Sequence, residues 1–584
     1  MKLLEHFKAL TLHPKNAQEL KGLILQLAVQ GKLTRQWREE NPNVEPASVL
    51  MEKIETEKVK LIKAKKIKKE RFDPVLSDEF YFDIPNNWKW ERLGNIGFIF
   101  NGDSINKSIK EAKYSNLEIG YPYIGTKDVG YIFDSIDHEN GVKIPFDEIK
   151  FKVISKGTVL ICSEGGSAGK KMGIVNQDCC FGNKLYAVQQ FGGIESVYIL
   201  SLYGSSSFSE AFKENMTGII GGISRNSFAN LYIPIPPLEE QKAIVEVVNK
   251  LFAEVAQLED LTEKRIQLKA DYVTSALQQL CQAVEKDTAK QWTYLKEHFG
   301  TFFTEKENIK KLRESILQLA VQGKLTHHWR TENPLKTSPL FKGDAEGRGV
   351  EPATILLARI KAEKKQLIKE GKIKKEKPLP EISEEEIPYE LPEGWAWCRL
   401  GQIADHILGK MLDRNKNKGD FKPYLRNQNV RWFSFDMNDV KEMRFEDDEV
   451  EKFSAKKGDV LICEGGYPGR ASVWENEDSI MIQKALHRVR FVGKLVEPKL
   501  LVFYLWLLDS NRLIEQYFTG AGIQHLTGQS LHKMIFPLPP AEEQKAIVEK
   551  VNALMGFCDK LEEEIETQQI TQEQWMQSCL REVV

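Results

Sequence analysis

The sequence predicts an α+β chain, a tandem pseudo-repeat of two mixed α/β domains joined by long coiled-coil helices. Three observations carry this. ILQLAVQGKLT begins at Ile24 and returns at Ile316, half of the 584-residue chain further on, so a whole structural unit is duplicated. In both copies the texture then changes from helix-spaced apolar residues to short apolar runs broken by Gly, Asn, Asp and Pro, the punctuation of strands and turns. Each copy closes on a stretch of about 40 residues in which apolar positions alternate at spacings of four and three, the seam of a coiled coil.

Composition bounds the class. A hydrophobic fraction of 41% with 28% charged residues excludes a disordered or collagenous chain, and the length calls for several domains. No apolar run is long enough to span a membrane, and MKLLEHFKAL is broken by Glu5, His6 and Lys8, so no signal core is read and a cytoplasmic protein without membrane contact is expected. Eight cysteines without a CxxC pair suit neither a zinc knuckle nor a redox motif and are expected to be reduced core thiols. A net charge of −2 means that any nucleic-acid binding must come from local patches or from partner subunits.

Six blocks repeat in order and define the elements. QGKLTRQWREENP matches QGKLTHHWRTENP at the end of the first helix, where Asn16 or Thr304 is placed to cap and Glu19 or Glu307 to complete a capping box. Leu20, Leu23, Ile24 and Leu27 follow at helix spacing, echoed by Leu312, Ile316 and Leu319, and Gly31 or Gly323 suits the C-terminal end. The next helix opens at Pro46 or Pro352 and leads into a basic run: Lys60, Lys63, Lys65, Lys66, Lys68, Lys69 and Arg71, matched by Lys361, Lys364, Lys365, Lys369, Lys372, Lys374 and Lys375. Such a run is either a phosphate-tracking face or a solvated helix face.

IPNNWKWERLGNI and LPEGWAWCRLGQI open the middle regions, with Trp88, Trp90, Trp395 and Trp397 expected in the cores. YPYIG, GTVLIC and KLYAV, with KPYLR, GDVLIC and ALHRV, are the expected strands, and residues 196–215 and 499–518 the expected helices. IPIPPLEEQKAIVE and FPLPPAEEQKAIVE then lead into the long helices. The seam residues are Ile244, Val248, Leu251, Val255 and Leu258 in the first, and Ile547, Val551, Leu554, Cys558, Leu561 and Ile565 in the second, each helix being expected to find its partner in the other. The domains are therefore residues 1–87, a helical scaffold; 88–237, the first middle domain; 238–285, the central helix; 286–394, the second scaffold; 395–539, the second middle domain; and 540–584, the C-terminal helix.

Catalytic motifs are missing. GGSAGKK at residues 165–171 has Glu164 where a phosphate-binding loop needs Gly, and Lys171 where it needs Ser or Thr. The Pro-Pro motifs lack the Asn or Asp that precedes them in amino-methyltransferases, and the ten histidines show no metal spacing. No metal site and no enzyme activity are expected of this chain.

The ordered pair of divergent middle regions, the WKWERLGNI and WAWCRLGQI blocks, and the twice-used PPxEEQKAIVE motif running into long helices resemble the specificity subunit of type I restriction-modification systems, over essentially the whole chain. The resemblance implies that each middle region is a target recognition domain reading one half of a bipartite, asymmetric double-stranded DNA site. It further implies that the helices set the spacing and dock two methyltransferase subunits for adenine methylation, with motor-nuclease subunits joining for restriction. S-adenosylmethionine, ATP and Mg belong to those partners, with no cofactor in this chain. Two other readings remain, a coiled-coil adaptor with no DNA role and a stand-alone methyltransferase with built-in readers.

Base reading needs Arg, Lys, Asn or Gln on loops beside a rigid sheet. Three loop pairs supply candidates: Thr126 and Lys127 beside Asp128, against Arg426, Asn427, Gln428 and Asn429; Ser167, Lys170 and Lys171 against Tyr467 and Arg470; and Arg225 and Asn226 beside Ser224, against Gln524 and His525. For each, the plain alternative is a polar turn residue.

Overall fold

The computed structural model describes residues 16–75, 80–218, 221–283, 285–336, 349–374, 378–413, 415–520 and 522–583. Two compact units emerge, one of residues 1–266 with 569–584 and one of residues 267–568.

In the first unit α1 (Asn16–Val29) buries Leu20, Ile24 and Leu25, and α2 (Ala47–Lys63) buries Leu50, Met51 and Ile54 into the same core. The middle domain follows with β1 (Lys89–Arg92), β2 (Gly97–Asn101), β3 (Tyr121–Ile124), β4 (Lys143–Ile144), β5 (Val153–Ile154), β6 (Val159–Cys162), β7 (Met172–Ile174), β8 (Cys179–Phe181) and β9 (Leu185–Gln190). Helices α3 (Ser196–Tyr203) and α4 (Ser206–Glu214) come next, then β10 (Tyr232–Ile235) and the 45-residue α5 (Leu238–Gln282). Two four-stranded sheets form, in the orders β2-β9-β6-β7 and β4-β3-β8-β5, the β3–β8 pair being parallel.

The second unit repeats this. After α6 (Lys306–Val321) and α7 (Ala353–Lys369) come β11 (Ala396–Arg399), β12 (Ala404–Leu408), β13 (Asp420–Leu425), β14 (Lys441–Phe445), β15 (Ser454–Ala455), β16 (Val460–Cys463), β17 (Ala471–Val473), β18 (Ile480–Ile482) and β19 (Leu486–Phe491). Helix α8 (Pro498–Ser510), β20 (Ile535–Leu538) and α9 (Ala541–Val583), as far as residue 568, complete it. The sheets β12-β19-β16-β17 and β14-β13-β18-β15 have the order of the first unit strand for strand, and β13–β18 is again the parallel pair. All six expected strands are present. The helices expected over 196–215 and 499–518 are each interrupted, at Gly204–Ser205 and after Ser510.

Each middle domain is tied off by a short ribbon between its first and last strands. β1 pairs antiparallel with β10 from Lys89↔Ile235 to Arg92↔Tyr232, and β11 with β20 from Ala396↔Leu538 to Arg399↔Ile535. The ribbons are only two strands wide, which tolerates Pro234 and Pro537, residues with no N–H to donate.

The glutamates that follow the Pro-Pro motifs explain why distant blocks repeat together. Glu240 is fully buried and accepts from Thr34 Oγ1 at 2.8 Å, Arg38 Nη1 at 2.5 Å and Trp88 Nε1 at 2.8 Å. Glu543 accepts from Thr326 Oγ1 at 2.6 Å, Arg330 Nη1 at 2.7 Å and Trp395 Nε1 at 2.8 Å. One carboxylate thus binds the QGKLTxxWR block, the Trp block and the long helix together. The next residue fastens the other side: Gln241 accepts from the Glu195 N–H at 3.1 Å and donates to Pro236 O at 3.0 Å, and Gln544 does the same with Glu497 at 2.8 Å and Pro539 at 3.0 Å.

The helical parts add a third member to the expected seam. Ile244, Val248 and Val255 lie in one buried cluster with Leu20 and Ile24 of α1, Leu251 packs against it, and Lys21 pairs with Glu259 at 3.8 Å, so α1 runs antiparallel to the start of α5; Leu258 is half-buried. In the second unit Ile547, Val551, Cys558 and Ile565 share a cluster with Ile309, Leu312 and Ile316 of α6, with Leu554 and Leu561 packed against it. Arg313 bonds Asp559 at 2.7 Å and Glu562 at 3.0 Å. Val273, Leu277 and Leu280 from the end of α5 join the same core, and Lys311 reaches Thr274 at 2.8 Å. The long helices therefore meet a short scaffold helix as third member, because its apolar stripe has to be covered as well.

Other local expectations shift by a residue. Glu305, not Thr304, is the N-cap of α6, and Thr304 instead accepts from Lys269 Nζ at 2.8 Å; the capping of α1 before Asn16 lies outside the described residues. Pro46 and Pro352 stand one position before their helices as caps. Gly31 and Gly323 take positive φ after α1 and α6 as expected. The helices stop at Lys63 and Lys369, so most of the first basic run continues beyond its helix, whereas Lys361, Lys364, Lys365 and Lys369 of the second lie within theirs; Lys375 lies outside the described residues. Lys364 does not belong to an exposed basic face: it is buried, with Nζ donating to Gly401 O at 2.5 Å and Ala404 O at 2.9 Å. Trp88, Trp90 and Trp395 are buried as expected, and Trp397 is half-buried against Tyr389.

Candidate functional site

The three expected loop pairs converge, in each unit, at the end of the parallel strand pair. In the first unit the loop after β3 meets the loop after β6: Lys171 Nζ reaches Thr126 O at 3.4 Å and lies 5.8 Å over the ring of Tyr131. The loop after β6 meets the segment before β10 through Gly165 N to Gly221 O at 2.8 Å and Ile223 N to Ser163 O at 3.1 Å. Asp128 is buried and folds its own loop by accepting from Gly125 N at 2.8 Å, leaving Lys127 exposed beside it. Ser167 O accepts from the N–H groups of Lys170 and Lys171, and Lys170 points to solvent. Arg225 is committed to Glu70 at 2.8 Å and to Ile99 O at 3.2 Å, Ser224 caps its short helix, and Asn226 is exposed.

The second unit brings its counterparts closer still. Asn427 Nδ2 donates to Gly465 O at 3.1 Å, and Arg470 Nη2 donates to Asn427 O at 2.9 Å. A Cβ on Gly466 would lie 2.5 Å from Asn427 Nδ2, and one on Gly465 would lie 3.1 Å from His525 Nδ1. The glycine pair is thus needed to let these two side chains lie against the loop backbone. The guanidinium of Arg470 stacks 5.1 Å over Tyr467, whose hydroxyl bonds Asp509 at 3.0 Å; burial and that carboxylate both push the phenol up.

Several of these side chains are occupied in shaping loops. Asn429 is 2% exposed, and its amide donates to Asp436 O at 2.9 Å and Asp439 O at 3.1 Å while its oxygen accepts from Arg426 N at 2.9 Å. Arg426 pairs with Asp439 at 2.7 Å; Lys441 first and then Arg426 hold that carboxyl below its ordinary range. Gln428 accepts through its backbone oxygen from Arg431 at 2.5 Å, and Gln524 is exposed with His525 half-buried behind it.

Sequence reasoning missed a fourth element in the same place. The turn between β8 and β9, residues 182–184, sits between the first two loops, through Gly182 N to Ile124 O at 2.9 Å and Ser163 N to Lys184 O at 2.9 Å. Its counterpart, residues 483–485, makes the same bonds, Gln483 N to Leu425 O at 3.0 Å and Glu464 N to Ala485 O at 2.8 Å. The sequence signal was FGNK and IQKA directly ahead of the strands KLYAV and ALHRV.

The described residues contain no group of three or more His, Cys, Asp or Glu placed to hold a metal ion, and no helix long and apolar enough to cross a membrane. Burial pushes the thiols of Cys162, Cys281, Cys463 and Cys558 up to about 11, and those of Cys179, Cys180 and Cys398 up to about 12, so these seven are inert core groups.

Comparison with known proteins agrees with this layout. The family model of the type I restriction modification DNA specificity domain matches twice, over residues 85–269 and 392–572, the two middle domains with the start of each long helix. The specificity subunit of the type I restriction enzyme EcoAI from Escherichia coli is 31% identical over 95% of this chain and 92% of its own length. That of EcoEI, also from Escherichia coli, is 28% identical over 95% of this chain and 92% of its own. The crystal structure of the HsdS subunit from Thermoanaerobacter tengcongensis aligns at 17% identity and a TM-score of 0.40, covering 86% of this chain and 98% of that one. Two matched domains and full-length similarity lead to one conclusion: the chain belongs to the type I restriction-modification specificity subunits, which recognise DNA and carry no catalysis.

Proposed function

We propose that the two middle domains read the two halves of a bipartite, asymmetric site on double-stranded DNA, using the loop clusters at the ends of their parallel strand pairs. The observation that carries this reading is identity of strand order combined with difference of loops: the sheets agree strand for strand, while the clustered side chains do not correspond. A scaffold kept twice with different polar groups at the same end is suited to reading two different sequences. The helical parts set the gap between half-sites and dock two methyltransferase subunits for adenine methylation, and motor-nuclease subunits join for restriction. S-adenosylmethionine, ATP and Mg act in those partners, in the cytoplasm where the DNA lies. The exposed part of the basic run serves either the DNA backbone or a partner subunit.

The test is to exchange residues 395–539 for the matching domain of a relative and to map N6-methyladenine across the host genome. One half-site should change and the other stay. If both half-sites persist unchanged, the second domain does not choose its sequence. A coiled-coil adaptor without a DNA role would leave every methylated motif intact when the gene is deleted.

A further inference from the structure

The loop clusters contain few side chains that are both rigidly mounted and uncommitted. Arg225, Arg426, Asn427, Asn429, Tyr467 and Arg470 all have protein partners. The turn at residues 182–184 and its counterpart at 483–485 differ from them. Their backbones are held on both sides by the bonds described above, and a third neighbour adds to these. The segment leaving β2 donates from Asp103 N to Phe181 O at 2.9 Å, and in the second unit Lys484 N donates to Lys410 O at 2.7 Å.

That third approach is possible only because glycine precedes it. A Cβ on Gly102 would lie 1.9 Å from Phe181 O, and one on Gly409 would lie 2.4 Å from Gln483 O. The middle residue of each turn, Asn183 in the first and Lys484 in the second, is exposed. Among the described residues neither side chain has a hydrogen-bond or ion-pair partner. A fixed backbone carrying a free polar side chain among three converging segments is what base recognition asks of a protein, since geometry and unspent donors must both be ready before the ligand arrives.

We propose that this middle position reads a base in each half-site, Asn183 an adenine and Lys484 a guanine. The inference rests on the reading of the two domains as half-site readers. The Asn amide presents one donor and one acceptor, matching the N7 and N6 of adenine, whereas the Lys ammonium presents donors alone, matching the N7 and O6 of guanine. The two half-sites therefore differ at the base pair under this turn.

The experiment uses the full chain assembled with its methyltransferase subunits, and duplexes carrying every single base-pair change across the methylated site. Competition binding is measured for the unaltered complex, for N183A and for K484A. N183A should lose about 5- to 150-fold of discrimination at one A·T pair of one half-site and leave the other half-site unchanged. K484A should do the same at one G·C pair of the other half-site. N183K is expected to move the preference at its pair from adenine towards guanine. Discrimination kept at every position by N183A and K484A overturns the proposal, and so does a K484A that weakens all duplexes equally, which marks a phosphate contact. An unaltered complex that shows no sequence preference overturns instead the half-site reading beneath it.

Discussion

The indole N–H of Trp88 donates to Glu240 at 2.8 Å across 152 residues of sequence, and the carboxylate it meets is fully buried. Trp395 and Glu543 repeat the pair at the same distance. A buried carboxylate is tolerable only while its cation stays, so Glu240→Gln, which leaves Arg38 facing a neutral amide, should cost about 3–5 kcal/mol. Urea or thermal melts of E240Q and E543Q check this. The joint replacement R38M/E240M, which removes both charges, should recover much of the loss. If E240Q melts like the parent, the carboxylate is not what fastens the domain.

Buried His487 gives the second unit a dependence on acid. Burial lowers its imidazole to about 4, while Nε2 bonds Leu526 O at 2.9 Å. The unfolded chain takes up this proton near pH 6.5 and the folded chain does not, so stability falls as pH drops through the window from about 6.5 to 4 and then levels off. The loss amounts to about 3 kcal/mol. Denaturation midpoints between pH 7 and pH 4 should show this slope, and H487Q should flatten it.

Seven buried thiols should resist alkylation. With ionisation pushed up to about 11 or 12, almost none is thiolate at neutral pH. Mass spectrometry after brief iodoacetamide treatment at pH 7.5 should find Cys162, Cys179, Cys180, Cys281, Cys398, Cys463 and Cys558 unmodified in native protein and all modified after unfolding.

Asn429 should act on recognition only through the shape of its loop. N429A leaves the carbonyl of Asp436 and the N–H of Arg426 without their partner, while the Asp439 carbonyl keeps Arg426 Nη2 at 2.8 Å, a loss of about 1–3 kcal/mol for an unsatisfied buried group. Faster hydrogen exchange over residues 426–439 is the expected sign. Unchanged exchange together with lost sequence preference would mean a direct DNA contact instead.

The architecture was legible because it depends on apolar periodicity and on a duplicated order of blocks. Each VLIC strand buries all four residues at the centre of its sheet, so no other local structure suits it. The sites were less legible because free and committed side chains look alike in sequence. Arg426 and Lys484 are both polar loop residues, yet one is spent on Asp439 thirteen positions away while the side chain of the other has no partner among the described residues. The third member of the helix seam was hidden for a related reason. Heptads declare that a helix wants neighbours but not how many, and α6 joins Val273 and Leu277 of α5 in covering Ile547 and Val551. The EEQ motif carried the family resemblance, but its physical purpose, one side chain to the scaffold and the next to the middle domain, needed coordinates.

The ribbons β1–β10 and β11–β20 bring the two ends of each middle domain side by side, four residue pairs long. What lies between them enters and leaves at one place, so it can be replaced as a cassette provided that the few contacts to the helices, such as Glu195 to Gln241 and Glu497 to Gln544, are kept. The blocks outside the ribbons, QGKLT and EEQKAIVE, are nearly the same in both copies. A middle domain bounded by the same blocks at both positions is a unit of exchange, so sequence preference can change by replacement of a whole domain rather than by gradual substitution.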